Sequence, residues 1–298
     1  MSNADSGDRV AQREIVTADG RIIVAKFFLP RGEPRGAVLI ASAMGVSQKY
    51  YAAFAAWLAA EGFVAATFDY RGTGLSLRGR LRDFVADILD WAKLDCAAMV
   101  DALAPYANGG PVFWIGHSLG GQIFPLVPNR ASLSKIITVA TGSGYWRENA
   151  PPLRRRVWWL WYVVVPIAVR VFGYFPGKRL RKVGDLPRGV IEQWRRWCLN
   201  RDYAIGVEGD EVRQQFASVD LPVVSLSFTD DEYMSRRNVS AIHGCFARST
   251  VTLTRLAPKD IGVSRIGHFG FFRAAFEQSL WATYLLPELE FGDAVRAS

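Results

Sequence analysis

The chain predicts an α/β fold: a mainly parallel sheet with helices on both faces and an inserted helical cap. Three observations carry that reading. Apolar, β-prone runs alternate with helix-compatible stretches at both ends of the 298-residue chain, the pattern of a parallel sheet covered on both sides. One such run, Val112 to Ile115, stops at Gly116-His117-Ser118-Leu119-Gly120, a Gly-x-Ser-x-Gly turn between strand and helix. The alternation breaks once, from Gly142 to about Val219, where the composition turns to Trp and Arg.

The elements follow in order. Arg13 to Pro30 alternates apolar and polar residues around Asp19-Gly20, a hairpin signal. Strands are predicted at Ala37–Ala41, Phe63–Phe68, Pro111–Ile115 and Lys135–Ala140, with helices at Tyr50–Glu61, Asp83–Ala107 and Leu119–Val127 between them. After the interruption come strand Leu221–Phe228, helix Arg236–Phe246, strand Thr250–Leu256 and helix Phe271–Leu286. Residues 1–141 and 220–298 therefore form the core, and 142–219 a helical cap inserted after the sixth strand. The cap centres on the apolar run from Val157 to Phe172.

Composition narrows the function classes. Half the residues are hydrophobic, enough for a sizeable core, so global disorder is excluded. The three cysteines, Cys96, Cys198 and Cys245, are widely spaced. They form no disulfide framework and no zinc pattern, and they suit a reducing compartment. The N-terminal stretch is polar and lacks the apolar centre of a signal peptide, so a cytoplasmic location is expected. Net charge is +8, and residues 142–220 hold 14 Lys/Arg against 8 Asp/Glu. No nucleic-acid-binding motif accompanies that charge, which argues against such a partner. Gly72-Thr73-Gly74 lacks the rest of a dinucleotide fingerprint and no P-loop lysine follows. No cofactor and no metal are expected.

A serine at neutral pH needs a base. Three histidines are available. His117 is the variable position of the Gly-x-Ser-x-Gly turn, beside Ser118 in sequence but not facing it. His243 falls within a helix as a surface or packing residue. His268, in Gly267-His268-Phe269-Gly270, sits on a loop between glycines and is the candidate base. A carboxylate must then orient the imidazole. The run Thr229-Asp230-Asp231-Glu232, just after a buried strand, supplies it. Asp69 also follows a strand, but it precedes Ser118 and reads as a turn residue. Serine, acid, histidine is the chain order of the α/β-hydrolase fold.

With these residues in view, the chain resembles α/β-hydrolases of the serine aminopeptidase and monoglyceride-lipase-like group. The resemblance runs from about Arg13 to the last helix. It is most specific in the elbow, in Phe68-Asp69-Tyr70-Arg71-Gly72-Thr73-Gly74, in Gly142-Ser143-Gly144-Tyr145-Trp146 and in Gly267-His268-Phe269-Gly270-Phe271-Phe272. It implies a triad of Ser118, Asp231 and His268, with Asp231 preferred over Asp230, and an oxyanion hole from the backbone N–H groups of Met44 and Leu119. Relatives often carry His-Gly after the third strand; this chain has Ser42-Ala43-Met44-Gly45.

The leading expectation is a serine hydrolase that cleaves a carboxylic ester or thioester through an acyl-enzyme, with Trp158 and Trp161 lining the substrate pocket. A serine aminopeptidase is the alternative, although a basic cap lacks an obvious acidic group for a free amine. A non-catalytic member that binds a ligand or partner is the third reading. The run from Val157 to Phe172 is shorter than the roughly 20 residues of a membrane span. It also contains Pro166 and Arg170, and an arginine is costly in lipid. Contact with a membrane surface through Arg154-Arg155-Arg156 and Lys178-Arg179-Leu180-Arg181-Lys182 is a weaker alternative to a cap that packs over Ser118.

Overall fold

A computed structural model of the protein describes residues 9–180 and 183–290. The polar N-terminal stretch and the Arg181-Lys182 pair of the second basic cluster lie outside the described residues. Eight strands make one sheet: β1 (Val10–Val16), β2 (Ile22–Phe28), β3 (Ala37–Ala41), β4 (Val64–Asp69), β5 (Val112–His117), β6 (Lys135–Val139), β7 (Val223–Phe228) and β8 (Val251–Leu256). Their order is β1-β2-β4-β3-β5-β6-β7-β8. β2 is antiparallel to both β1 and β4, and β4 through β8 are parallel throughout. This is the α/β-hydrolase fold.

Burial explains the strand composition. β3, β4, β5 and β7 are buried at every position, so they read as continuous apolar runs rather than alternating ones. On one face Trp91, Met99 and Val100 pack from the helical stretch 88–103; on the other, Phe54 and Trp57 meet Trp281.

Two helices start later than the pattern predicts. The 88–103 stretch was expected from Asp83, but Asp87 caps it: its Oδ1 accepts the Asp90 N–H at 2.9 Å, and Asp90 Oδ2 accepts the Asp87 N–H at 3.0 Å. That reciprocal capping box fixes the start. The last helix begins at Glu277, because Phe271 to Phe276 form turns, Arg273 N–H bonding to Gly270 O and Phe276 N–H to Arg273 O. Asp69 accepts the N–H groups of Gln48 (2.8 Å) and Leu75 (2.9 Å) and is the turn residue expected.

Between β6 and β7 the chain leaves the sheet for helices at 151–172, Arg188–Leu199, Tyr203–Glu208 and Asp210–Ala217. The first starts at Pro151, ahead of the apolar run, because proline at the first helical position loses no hydrogen bond. It widens into a π-helical turn over Leu160–Val164 and stops at Gly173, whose φ of 78° is the left-handed C-terminal cap. The last of the four helices turns back to the sheet layer, where Phe216 stacks on Phe246. Among the described residues no helix is long and apolar enough to cross a membrane.

Candidate active site

β3 and β5 are neighbours, and the chain runs from β3 to β4 on one side of the pair and from β5 to β6 on the other. Their carboxyl ends therefore open a crevice, where sites of open α/β sheets form. Met44 follows β3 there, and Ser118 follows β5. Ser118 has φ 50° and ψ −110°, a conformation that L-residues rarely adopt. Its N–H bonds to Val139 O at 2.9 Å, and Thr141 Oγ1 reaches its carbonyl at 3.2 Å. The glycines of the motif have a steric cause. A Cβ on Gly116 would lie 2.5 Å from Gly121 backbone, and one on Gly120 would lie 2.1 Å from Ala41 O.

His268 lies in a short helical turn, Gly267–Gly270, rather than on an open loop tip, and is buried. Its Nδ1 is 2.9 and 3.1 Å from the two oxygens of the buried Asp231 carboxylate. A carboxylate only accepts, so Nδ1 carries a proton, and in the neutral imidazole Nε2 keeps a lone pair. Among the described residues neither His268 Nε2 nor Ser118 Oγ makes a hydrogen bond within the protein. Asp231 Oδ1 also accepts the N–H groups of Tyr233 (2.7 Å) and Met234 (2.9 Å). The carboxylate is thereby fixed from both sides.

The flanking acids hold the histidine turn itself. Asp230 Oδ2 accepts from Ile266 N–H (2.8 Å) and Gly267 N–H (3.0 Å). Glu232 Oε2 accepts from His268 N–H (3.0 Å), and Glu232 Oε1 pairs with Arg265. In the sequence Asp230 read only as the less favoured candidate for the acid, and Glu232 as its neighbour. The signal available was three consecutive carboxylates after one strand.

His117, as expected, turns away from Ser118. Its Nε2 donates to His268 O (3.0 Å), and its Nδ1 accepts from Tyr51 Oη (2.8 Å), which in turn accepts from Ala43 N–H (2.9 Å). Burial, first, and the nearby His268 hold its pKa well below the usual histidine range. One buried neutral side chain thus ties the Ala43-Met44 turn to the His268 turn, a role the sequence did not announce. His243 is a packing residue, with Nδ1 to Val239 O at 2.7 Å and Nε2 to Thr138 Oγ1 at 2.8 Å. The Gly142-Ser143-Gly144-Tyr145-Trp146 motif anchors the segment after the acid: the buried Asn238 side chain reaches Ser143 Oγ and Tyr145 O, and Ala150 N–H bonds to Tyr233 O.

Among the described residues the N–H groups of Met44 and Leu119 have no acceptor in the protein; Leu119 opens a helix, where N–H groups have no intrahelical partner. Both residues, with Ser118, line a cavity of about 170 Å³. Leu153, Val157, Leu160 and Trp161 form one wall, at the helical spacing of a single face. No carboxylate lines it. Trp158 is a correction. One residue on from Val157, it is rotated about 100° around the helix, is 46% exposed, and takes no part in the lining. Among the described residues no group of three or more His, Cys, Asp or Glu could hold a metal ion.

Sheet order, elbow and crevice define a member of the α/β-hydrolase superfamily. The sequence model of the family described as serine aminopeptidase, S33, matches residues 32–187, and the chain belongs to that family. It is 28% identical over 109 residues to monoglyceride lipase of Homo sapiens, covering 37% of this chain and 35% of that protein. The match thus spans about a third of the length of this curated relative. A soluble variant of monoglyceride lipase from Saccharomyces cerevisiae, solved with a substrate analogue, superposes with a TM-score of 0.60 at 17% identity, over 86% of this chain and 88% of that one. A thermostable carboxyl esterase from Bacillus coagulans, solved with glycerol, gives 0.59 at 14% identity over 84% and 91%. At such identities these structures share the fold.

Proposed function

We propose that the protein is a serine hydrolase that cleaves a carboxylic ester or thioester through an acyl-enzyme. The observation that carries this reading is the buried His268–Asp231 pair, with Nε2 left free, together with a serine on a strained elbow. Ser118 Oγ attacks the carbonyl carbon while His268 Nε2 takes its proton. Asp231 keeps Nδ1 protonated and stabilises the imidazolium. The N–H groups of Met44 and Leu119 receive the oxyanion. His268 then protonates the leaving alcohol or thiol. Water, deprotonated by His268, attacks the acyl-enzyme and releases the acid, restoring Ser118.

Residues 1–141 and 220–298 act as the core and 142–219 as a cap over the crevice, the wall formed by the 151–172 helix supporting that role. An apolar cavity with no carboxylate favours an acyl chain over the ammonium group of an aminopeptidase substrate. Glu148 and Glu192, acids of the cap that could meet an amine, are absent from the lining, and Glu192 pairs with Arg188 at 3.0 Å. A fluorophosphonate probe should label the protein but not its Ser118→Ala variant, and p-nitrophenyl esters should be hydrolysed far faster than amino-acid p-nitroanilides. Labelling of Ser118→Ala, or a preference for the anilides, would overturn the reading.

A further inference from the structure

A second cavity lies apart from the crevice. It opens between the cap helices Tyr203–Glu208 and Asp210–Ala217 and the core helix Arg236–His243. At about 230 Å³ it is larger than the cavity of about 170 Å³ beside Ser118. Neither Ser118 nor His268 lines it. Its walls are apolar, with Ala204, Ile205, Phe216 and Ile242 buried. Its charged lining is Arg201, Arg213 and Asp202, two guanidinium groups against one carboxylate. Among the described residues Arg201 pairs with no carboxylate, and Arg213 meets only Asp210, at 3.8 Å with the acid 93% exposed. Screening by water leaves such a pair little strength, so both cations are available to a ligand.

An apolar cavity with two guanidinium groups in its lining suits one chemistry. The alkyl body of a small carboxylate would be buried, and its head group would take N–H donors from the arginines. The partition between the two cavities is Tyr203. Its ring lines the second cavity, and a Cβ on Gly144, which lines the crevice, would lie 2.8 Å from Tyr203 Cε2. Its hydroxyl donates to Gln122 Oε1 at 2.7 Å. Gln122, on the helix Leu119–Ile123 after Ser118, lines the crevice and donates to Gly142 O at 2.6 Å. Tyr203 is held at a φ of 54°, a strained conformation for an aromatic residue. A ligand that displaces the ring relieves that strain and moves Gln122 with it. From this arrangement we infer that the second cavity binds a small alkyl carboxylate, and that its occupancy reaches the crevice through Tyr203 and Gln122. The inference goes beyond the hydrolase reading and does not depend on it.

The test is calorimetric titration of the full chain with hexanoate, hexylamine and hexanol. Only hexanoate is expected to bind. Arg201→Gln/Arg213→Gln should weaken it about tenfold. Ala241→Phe, which adds a ring at an exposed position of the lining, should abolish it, and thermal unfolding at the wild-type temperature shows that these variants are folded. The side-chain amide resonances of Gln122 should shift on addition of hexanoate to the wild type, and should stay in place in Tyr203→Phe, which still binds. None of these readouts needs turnover, so failure of the hydrolase reading is a separate result, seen as absence of fluorophosphonate labelling. Hexanoate that binds equally to the wild type and to both cavity variants sits in the crevice or elsewhere and overturns the site. So does hexylamine binding as tightly, or no binding of any of the three. Gln122 resonances that do not move in the wild type, or that move alike in Tyr203→Phe, overturn the relay.

Discussion

Glu232 accepts the backbone N–H of His268 at 3.0 Å, so the residue after the triad acid holds the main chain of the base while the acid holds its ring. With Asp230 on Ile266 N–H and Gly267 N–H, three consecutive carboxylates fix one turn. Their division of labour can be measured. Asp231→Asn should lower kcat by about 10⁴, the cost of losing the orienting charge in such triads. Asp230→Asn and Glu232→Gln keep a side-chain carbonyl that still accepts an N–H, and should cost about tenfold or less. A larger loss from Asp230→Asn than from Asp231→Asn would make Asp230 the true acid.

Ser118 predicts a second result. Its φ of 50° and ψ of −110° cost an L-residue about 1–3 kcal/mol, whereas glycine adopts them freely. Ser118→Ala and Ser118→Gly should both be inactive. Ser118→Gly should nonetheless be the more stable by about 1 kcal/mol, after the entropy that glycine loses on folding. Urea unfolding of the two variants measures it, and a less stable glycine variant would mean the elbow is unstrained.

What the sequence announced and what it did not divide along physical lines. β3 falls on the residues predicted, Ala37–Ala41, and β4 to β7 shift by only one or two residues, because burial on both faces leaves an unbroken apolar run. The Gly116–Gly120 elbow was legible because its steric demand is local. The start at Ile88 was not, since a single capping box outweighed the helical propensity of Asp83 to Ala86. Nor was the inward face of the 151–172 helix. Trp158 and Trp161 look equivalent in sequence, yet Trp161 is 2% exposed and Trp158 46%, a difference set by how the helix seats on the core. The links from Glu232 and His117 to His268 join loops far apart in sequence and leave no local pattern.

His243 predicts a pH dependence of stability. Burial is the main cause of its pKa falling to about 4, against the bond to Val239 O. Below about pH 6.5 the unfolded chain takes up a proton that the folded chain refuses. The stability due to neutral His243 is therefore present above pH 6.5 and is lost as the pH falls through about 4, an amplitude of ~3 kcal/mol. Urea unfolding between pH 7 and 4 should show that slope, reduced in His243→Gln. Parallel slopes for the two proteins would mean that His243 titrates normally in the fold.

The two tryptophans predict a difference in substrate preference. Trp161 lines the cavity beside Leu160 and packs edge-on against Trp194, ring centroids 5.0 Å apart. Truncating it to alanine enlarges a cavity of about 170 Å³ by most of an indole, and each methylene of acyl chain that the new space buries is worth about 0.8 kcal/mol. Trp161→Ala should therefore move the optimum of kcat/KM along a p-nitrophenyl ester series toward longer chains, by about tenfold for two or three added methylenes once the lost wall contacts are allowed for. Trp158→Ala removes exposed surface on the far side of the same helix and should leave the profile in place. A shift with Trp158→Ala and none with Trp161→Ala would mean that the acyl chain lies on the opposite side of this helix.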